Sequence, residues 1–451
     1  MSEISNPNTH GLTRREAAAV MAAGGPLLRS AAAASEQVVY GVIGTGSRGE
    51  YLLRHLNGIG AGRCAAVADV YEPNLRKGIQ TAKSGKQGYA DYRALLDRKD
   101  IDAVFVATPL HTHFPITRDA LLAGKHVFCE KCLVFKPHEV RQLRELASAR
   151  DNQILQVGLQ RRYSMFYQTA RQMVSKGMLG EVTEIHAQWN CNPGWTMLPD
   201  QPKERNWRLF REFSGGLTSE LASHQIDVAN WMFADTPEFI TGVGSLDWRR
   251  DGRDVYDTIA LILKYPGGRR MTYSASSMSR HLPFLGGSRK EFGEVIMGTE
   301  GSIEITVGDD EQQAIGLWFY EAGPVVTAPS DEQKEMAKAV GATITRSGRS
   351  PKGFPILFTR DQISGEEPFF QREMKYARRW LYSKGIMVPQ EERNPVDVQL
   401  ETFLQSCRSG KQPKAGLEAG LDDAATVILA NLAMDQGRRV HFNEMEKMAR
   451  S

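Results

Sequence analysis

The feature that most constrains the fold is a glycine-rich turn between two apolar stretches, in residues 38–56 (VVYGVIGTGSRGEYLLRHL). The first stretch is short and β-branched, as buried parallel strands are, and leucines recur at helical spacing after the turn. Gly44, Gly46 and Gly49 stand in G-x-G-x-x-G spacing, with Ser47 and Arg48 between them. A strand, a glycine turn and a helix in this order let the backbone approach a pyrophosphate. The pattern predicts a dinucleotide-binding α/β domain in which these five residues contact the cofactor.

A second apolar run supports this interpretation. Residues 65–70 (AAVADV) place Asp69 20 residues after Gly49, the spacing expected for a carboxylate on the adenosine ribose 2′-hydroxyl. Because a carboxylate there repels a 2′-phosphate, we expect NAD rather than NADP. The positive charges of Arg76 and Lys77, which follow closely, could weaken this preference. The alternative is a domain of the same fold that holds no cofactor.

Strand-like and helix-like stretches continue to alternate as far as residue 159, which predicts a doubly wound parallel sheet. Ligands of such sheets gather at the carboxyl ends of the strands. The third apolar run, residues 101–107, ends at one such position, and VFCEKCL (127–133) contains another. The residues expected to line the cofactor cleft there are Thr108, Pro109, His111, His113, Glu130 and Lys131.

The VFCEKCL segment also contains a C-x-x-C spacing, with Lys131 between Cys129 and Cys132. A redox pair of this kind normally opens a helix, and a zinc site needs a second pair of ligands, which does not stand out. On an extended segment Cys129 and Lys131 would share a face and Cys132 would point away. We therefore expect no metal, two incidental buried thiols, and Lys131 as the functional residue.

Taken together, these motifs resemble the Gfo/Idh/MocA family of nicotinamide-dependent sugar oxidoreductases. The resemblance covers most of residues 38–307 and 395–445 and is weak across 308–394. The family usually has Pro where this chain has Cys132, and Asp where it has Glu220. The matching segments are GVIGTGSRG, ATPLHTH, Glu130-Lys131, GLQRRY (158–163), GMLGEVTEIHAQW (177–189), GGLTSELASHQIDVANWMF (215–233), GTEGSI (298–303) and residues 403–434.

The resemblance implies an N-terminal Rossmann domain and a C-terminal α/β domain with an open, mostly antiparallel sheet. Strand-like runs at residues 182–189, 239–243, 258–265 and 270–274 agree with it. We expect a leader at 1–35, an NAD-binding domain at 36–157 and a substrate and oligomerisation domain at 158–451. Residues 308–394 are interpreted as an insertion at the rim of the second sheet, with one helix at 331–340.

Glu220, His224, Asp227 and Trp231 are spaced 4, 3 and 4 apart, which would align them on one helix face. His224 is the predicted general base, since histidine titrates in the required range. Lys131 would stabilise the alkoxide and shift His224 toward its neutral form. Asp227 would orient His224 or bind a substrate hydroxyl, and Glu220 would reach another hydroxyl or relocate the proton relay. Further substrate candidates are Arg161, Arg162, Tyr163, Trp195 and Trp207.

Three functions are compatible with these residues. The leading hypothesis is an NAD-dependent oxidoreductase acting on a sugar, glycoside or polyol hydroxyl. The second is an NAD-dependent glycosidase, which resembles a branch of the same family and works by transient C3 oxidation followed by elimination. It needs a second base, for which Glu220, Tyr163 and Tyr256 are candidates. The third is a non-catalytic NAD-binding protein.

The N-terminus and the composition bear on location and partners. Arg14-Arg15, an alanine-rich run and small residues at 32–34 resemble a Tat export signal; the alternative is an alanine-rich tail on a cytoplasmic protein. Export would place the protein in the periplasm, away from an NAD pool, so we expect a tightly retained cofactor. The chain has 56 basic and 53 acidic residues and no basic block, which argues against nucleic-acid binding. No apolar run reaches membrane-spanning length. We expect a carbohydrate substrate and a homodimer or homotetramer.

Overall fold

A computed structural model describes residues 37–191, 194–278, 292–307, 315–320, 329–339, 352–355, 391 and 393–450, with isolated positions between 365 and 376. The predicted leader at 1–35 lies outside the described residues. Within the described part of the chain, no helix has the length and apolar character needed to cross a membrane.

The first sheet has six parallel strands in the order β3-β2-β1-β4-β5-β6, which confirms the predicted doubly wound arrangement. The strands are β1 (Val38–Ile43), β2 (Gly62–Ala68), β3 (Gln87–Tyr89), β4 (Ala103–Val106), β5 (His126–Cys129) and β6 (Leu155–Val157). The helices that connect them are α1 (Ser47–Leu56), α2 (Glu72–Thr81), α3 (Tyr92–Leu96), α4 (His113–Leu122) and α5 (Pro137–Ser148). The strand runs are nearly continuously apolar because helices cover the sheet on both faces.

One face of this sheet is covered by a helix from the C-terminal part of the chain, α9 (Pro395–Ser409). Phe403 of this helix makes edge contacts with Phe105 and Phe128, at ring-centroid distances of 5.1 Å and 5.8 Å. The predicted division assigned residues 158–451 to the second domain. The packing of Phe403 instead places α9 in the core of the first sheet, so the chain returns to that domain after building the second one.

Among the described residues, the second sheet has nine strands in the order β14-β13-β12-β11-β7-β10-β9-β8-β15 and is antiparallel except between β7 and β10. This confirms the predicted mostly antiparallel sheet. The strands are β7 (Val182–Asn190), β8 (Phe239–Ser245), β9 (Thr258–Lys264), β10 (Arg270–Ser276), β11 (Phe292–Gly298), β12 (Gly301–Val307), β13 (Ile315–Tyr320), β14 (Lys352–Pro355) and β15 (Val440–His441). Strands β13 and β14 come from residues 308–394, which therefore extend the sheet itself and contribute more than the one expected helix.

Five further helices are described, and one of them connects the two domains. They are α6 (Met165–Ser175), α7 (Ser223–Phe233), α8 (Asp331–Ala339), α10 (Leu417–Gln436) and α11 (Glu444–Met448). Helix α10 packs against α5 of the first domain and against α7 and β8 of the second. Buried apolar side chains from both sheets form one continuous cluster. The ends of the first sheet and the N-terminus of α7 are thereby held at a fixed separation.

Candidate active site

The glycine turn between β1 and α1 fits a pyrophosphate. Gly44 has a φ of +87°, which favours glycine, and a Cβ there would lie 2.7 Å from the Ala107 carbonyl oxygen. A Cβ on Gly49 would lie 1.7 Å from the Gly44 carbonyl oxygen. Gly46 caps α1 without a side-chain hydrogen bond, so the first amide groups of the helix remain for an anion. The turn therefore forms the cradle that the glycine spacing predicted.

Asp69 follows β2 and is fixed beside this turn. Its Oδ2 accepts a hydrogen bond from the Thr45 backbone amide at 2.7 Å, and its Oδ1 accepts one from the Tyr71 amide at 2.8 Å. Asn74 adds a longer contact to Oδ2, at 3.4 Å. These contacts were not apparent in the sequence. They hold a carboxylate at the position where a dinucleotide fold binds the adenosine ribose.

Arg48 links the glycine turn to the far side of the sheet. Its Nε donates to Glu130 Oε1 and its Nη2 donates to Gln160 Oε1, both at 2.7 Å. Glu130 is 6% exposed. Both side chains were predicted to face the cofactor; the structure uses them to connect the ends of β1, β5 and β6. The arginine and glutamate therefore fix the relative positions of the strand ends that line the cleft.

His113 connects the loops that follow β4 and β5. It is 2% exposed, with Nδ1 2.7 Å from the Cys132 carbonyl oxygen and Nε2 2.9 Å from the Thr108 carbonyl oxygen. Burial alone would lower its pKa, but Cys129 and the two carbonyl groups outweigh burial and raise the pKa to about 9. His113 is thus an imidazolium that donates to the loops after β4 and β5. His111 lies nearer the surface, and burial lowers its pKa.

Lys131 lies just beyond β5, where the chain bends, and its peptide bond to Cys132 is cis. The Lys131 Nζ donates to the carbonyl oxygens of Glu220 at 2.7 Å and Ser219 at 3.3 Å. No carboxylate lies within ion-pair distance of Nζ among the described residues. The expected alternation of Cys129, Lys131 and Cys132 assumed an extended segment, whereas the chain bends at residues 131–133. Both thiols are free and buried.

His224 lies in the first turn of α7 and is 9% exposed. Burial lowers its pKa well below the ordinary value, and the charges of Lys131, Arg161 and Arg48 lower it further. Its ring lies 5.8 Å from that of Trp189. No hydrogen bond to its ring nitrogens is found within the described residues. His224 is therefore a neutral imidazole able to accept a proton, and the influence of Lys131 has the direction expected from the sequence.

Asp227 pairs with Arg162, and no hydrogen bond joins it to His224 among the described residues. It is 1% exposed and forms a bidentate ion pair with Arg162, with N–O distances of 2.7–3.1 Å. Burial raises the pKa of Asp227 and Arg162 opposes the rise. Arg162 also lies over the Trp231 ring, 5.3 Å from its centroid. Arg162 is thereby held inside the domain by the carboxylate that was expected to serve His224.

Glu220 faces a different part of the site. A π-helical turn, Thr218–Ala222, precedes α7 and shifts the helical phase. The carboxylate of Glu220 pairs with an arginine from the loop that precedes this turn. Its Oε2 accepts from Arg208 Nε at 3.0 Å, and Arg208 stacks between Trp207 and Trp195 at 4.1 Å and 5.5 Å from their centroids. No sequence motif predicted this pairing. It joins both predicted tryptophans to Glu220 in one wall of the site.

Two of the predicted substrate residues are enclosed. Arg161 is 1% exposed and forms an ion pair with Glu294 at 2.5 Å. Tyr163 is 2% exposed, and its hydroxyl accepts from the Ala415 amide at 3.4 Å. Neither presents a polar group to a ligand, because burial and internal partners occupy both. In the described part of the chain, no group of three or more His, Cys, Asp or Glu residues could hold a metal ion.

Comparison with known proteins agrees with the fold and the cleft. Residues 38–159 match the oxidoreductase family described as having an NAD-binding Rossmann fold, and residues 167–304 match the GFO/IDH/MocA C-terminal domain. The two matches are separated by residues 160–166, which lie between β6 and β7. They contain the glycine turn, Lys131 and His224.

Several individual proteins are similar. An inositol 2-dehydrogenase of Gluconacetobacter diazotrophicus is 29% identical over 43% of this chain and 53% of its own length. One from Rubrobacter xylanophilus is 26% identical over 60% and 72%. A levoglucosan dehydrogenase solved with NADH and levoglucosan has a TM-score of 0.65 and 17% identity, covering 90% of this chain and 100% of that one. The chain spans about half the length of the first curated relatives.

Proposed function

We propose, from the premise that this chain belongs to the Gfo/Idh/MocA oxidoreductase family, that it is an NAD-dependent oxidoreductase acting on a sugar, glycoside or polyol hydroxyl. The observation that carries the proposal is the pairing of Lys131 with His224. An ammonium without a carboxylate partner among the described residues lies near enough to a buried imidazole to lower its pKa. The glycine turn and Asp69 supply a dinucleotide cradle in the same cleft.

The residues divide the chemistry between them. Bound NAD supplies a nicotinamide C4 that accepts hydride from the carbon bearing the hydroxyl. His224, neutral near pH 7, accepts the hydroxyl proton through a free ring nitrogen. Lys131 has three ammonium N–H groups, of which two are held by the carbonyl oxygens of Ser219 and Glu220. The third donates to the developing alkoxide and stabilises it. In the reverse direction the His224 imidazolium returns the proton.

A carbohydrate ring is the substrate class that the surroundings support. The relatives named above act on inositol, and the levoglucosan dehydrogenase shares the fold. Trp195 and Trp207 offer aromatic faces to the apolar side of a sugar ring. Arg208 and Glu220 bring a donor and an acceptor to the same wall. The carboxylate of Asp69 favours NAD over NADP.

The glycosidase hypothesis gains no specific support. Of its three candidate second bases, Tyr163 is buried and burial raises its pKa. Tyr256 donates to Asp435 at 2.9 Å, and its pKa is raised by burial and by that carboxylate. Glu220 is occupied by Arg208. The site therefore favours simple hydride transfer over elimination.

We also propose that the protein is exported by its twin-arginine leader and functions as a homo-oligomer with a retained cofactor. Exposed Val243 and Ile262, 70% and 48% accessible on neighbouring strands β8 and β9, support association through the outer face of the second sheet. Size-exclusion chromatography with light scattering tests the oligomer. Export is tested by fractionating cells that carry either the wild-type leader or the Arg14→Lys, Arg15→Lys variant. We expect only the protein with the wild-type leader to be exported.

The cofactor is tested by denaturing the purified chain and assaying the supernatant for NAD(H) and NADP(H). We expect NAD(H) at near one per chain, since the glycine cradle and Asp69 fit it. A protein that releases neither dinucleotide, and fails to bind added NAD, contradicts the proposal. A protein that releases mainly NADP contradicts the role given to Asp69.

A further inference from the structure

A loop of the second domain crosses the nucleotide side of the first. Residues 194–217, here the bridging loop, follow β7 and precede the π-helical turn. The Arg205 guanidinium lies 3.8 Å from the ring centroid of Tyr71, and the Phe213 ring lies 4.8 Å from that of His111. Tyr71 follows β2 and His111 follows β4, the two strands that flank β1. The bridging loop thus touches both sides of the glycine turn.

The loop is fixed from within. Asn206, next to Arg205, is 6% exposed. Its Oδ1 accepts from the Leu198 amide at 2.8 Å, and its Nδ2 lies within 3.1–3.4 Å of the carbonyl oxygens of Leu198, Gln201 and Pro202. Leu209, Phe210 and Phe213 form a separate apolar cluster beneath it. Arg205 is therefore presented from a rigid turn.

Apart from its stacking on Tyr71, Arg205 has no charged partner among the described residues. Its Nε is buried without a hydrogen-bond partner, and no carboxylate lies within ion-pair distance of it among the described residues. The other cleft arginines differ in this respect, since Arg48, Arg162 and Arg208 each pair with a carboxylate. A stacked guanidinium with unused donors is suited to hold a planar, polar ligand.

We propose that Arg205 and Tyr71 form a clasp that closes over the adenosine half of bound NAD and slows its release. The inference rests on the cofactor part of the proposed function. Tyr71 donates its amide to Asp69, whose carboxylate marks the ribose, so the clasp lies at the adenosine end of the cleft. Release of the cofactor then requires the cation–π contact between the two domains to open. This would allow an exported enzyme to keep its cofactor.

The test is the dissociation rate of NADH from the full chain, followed by fluorescence while excess NAD displaces it. Arg205→Ala should accelerate release by about tenfold, the loss expected for one partly desolvated cation–π contact. Tyr71→Ala should do the same, and the double variant should add little, because both changes remove one contact. Arg205→Lys keeps the charge, so its NADH dissociation rate should lie between those of wild type and Arg205→Ala.

Lys203→Ala is the matched control. Lys203 lies in the same loop, 4.9 Å over the Phe210 ring, and that ring belongs to the loop's own cluster. Its loss should leave the NADH rate unchanged. An Arg205→Ala protein that melts like wild type and releases NADH no faster than Lys203→Ala overturns the clasp and leaves the proposed function intact. A wild-type chain that binds no NADH overturns both.

Discussion

The buried ion pair between Arg161 and Glu294 offers a quantitative test of the packing, because sequence reasoning expected Arg161 to contact substrate. The two side chains are 1% and 0% exposed, with N and O atoms 2.5 Å apart. Arg161→Met removes the guanidinium and leaves the Glu294 carboxylate buried with the Tyr167 hydroxyl, 2.6 Å away, as a partner. Breaking a buried pair in this way lowers the free energy of unfolding by about 3–5 kcal/mol. That loss is a large fraction of the roughly 5–15 kcal/mol typical of folded proteins.

Urea unfolding at constant protein concentration measures this loss. The double variant Arg161→Met, Glu294→Leu should recover much of it, because no charge remains buried. Arg76→Met is the control, since Arg76 and Glu72 are 72% and 59% exposed and such pairs contribute about 0–1 kcal/mol. If Arg161→Met unfolds at the wild-type urea midpoint and instead raises KM for substrate, the reasoning is refuted and Arg161 belongs to the substrate site.

Two further predictions concern the cleft. The pKa of His113 is raised above its ordinary 6.5 to about 9, so its contribution to stability is complete below about pH 6.5 and is lost as the pH rises through about 9. The urea midpoint of wild type should therefore fall over this pH range, and that of His113→Gln should not. A wild-type midpoint that stays constant up to alkaline pH would contradict the prediction. Glu220→Gln weakens the pair with Arg208 and should raise KM for the carbohydrate several-fold with a smaller change in kcat, measured by steady-state kinetics. If kcat and kcat/KM instead fall by the same factor, Glu220 has a role in proton transfer.

Local features were predictable where short-range chemistry decides them. The glycine turn, Asp69 and the strand ends at Thr108 and Lys131 follow from spacing and from the rule that ligands gather at carboxyl ends of strands. The sequence also predicted that Lys131 lowers the pKa of His224, although burial is the larger cause of the lowering.

Long-range partners were not predictable from one sequence. Asp227 and Arg162 are 65 positions apart. An amphipathic pattern predicts that a residue is buried, but it does not identify the side chains that pack against it. Phe403 is an example, since its helix was assigned to the second domain and packs against the first sheet. The π-helical turn before α7 has no clear sequence signal, and neither does the pairing of Glu220 with Arg208. Arg205 and Tyr71 meet only because the bridging loop crosses between domains.

The central claim is that His224 takes the proton while Lys131 stabilises the alkoxide during hydride transfer. The most direct measurement is the absorbance of reduced nicotinamide when NAD-loaded protein is mixed with inositols, aldoses and glycosides, in wild type and His224→Ala. We predict that wild type forms NADH with at least one of these and that His224→Ala binds NAD equally but forms NADH about a hundredfold or more slowly. Equal rates in the two proteins would contradict the account.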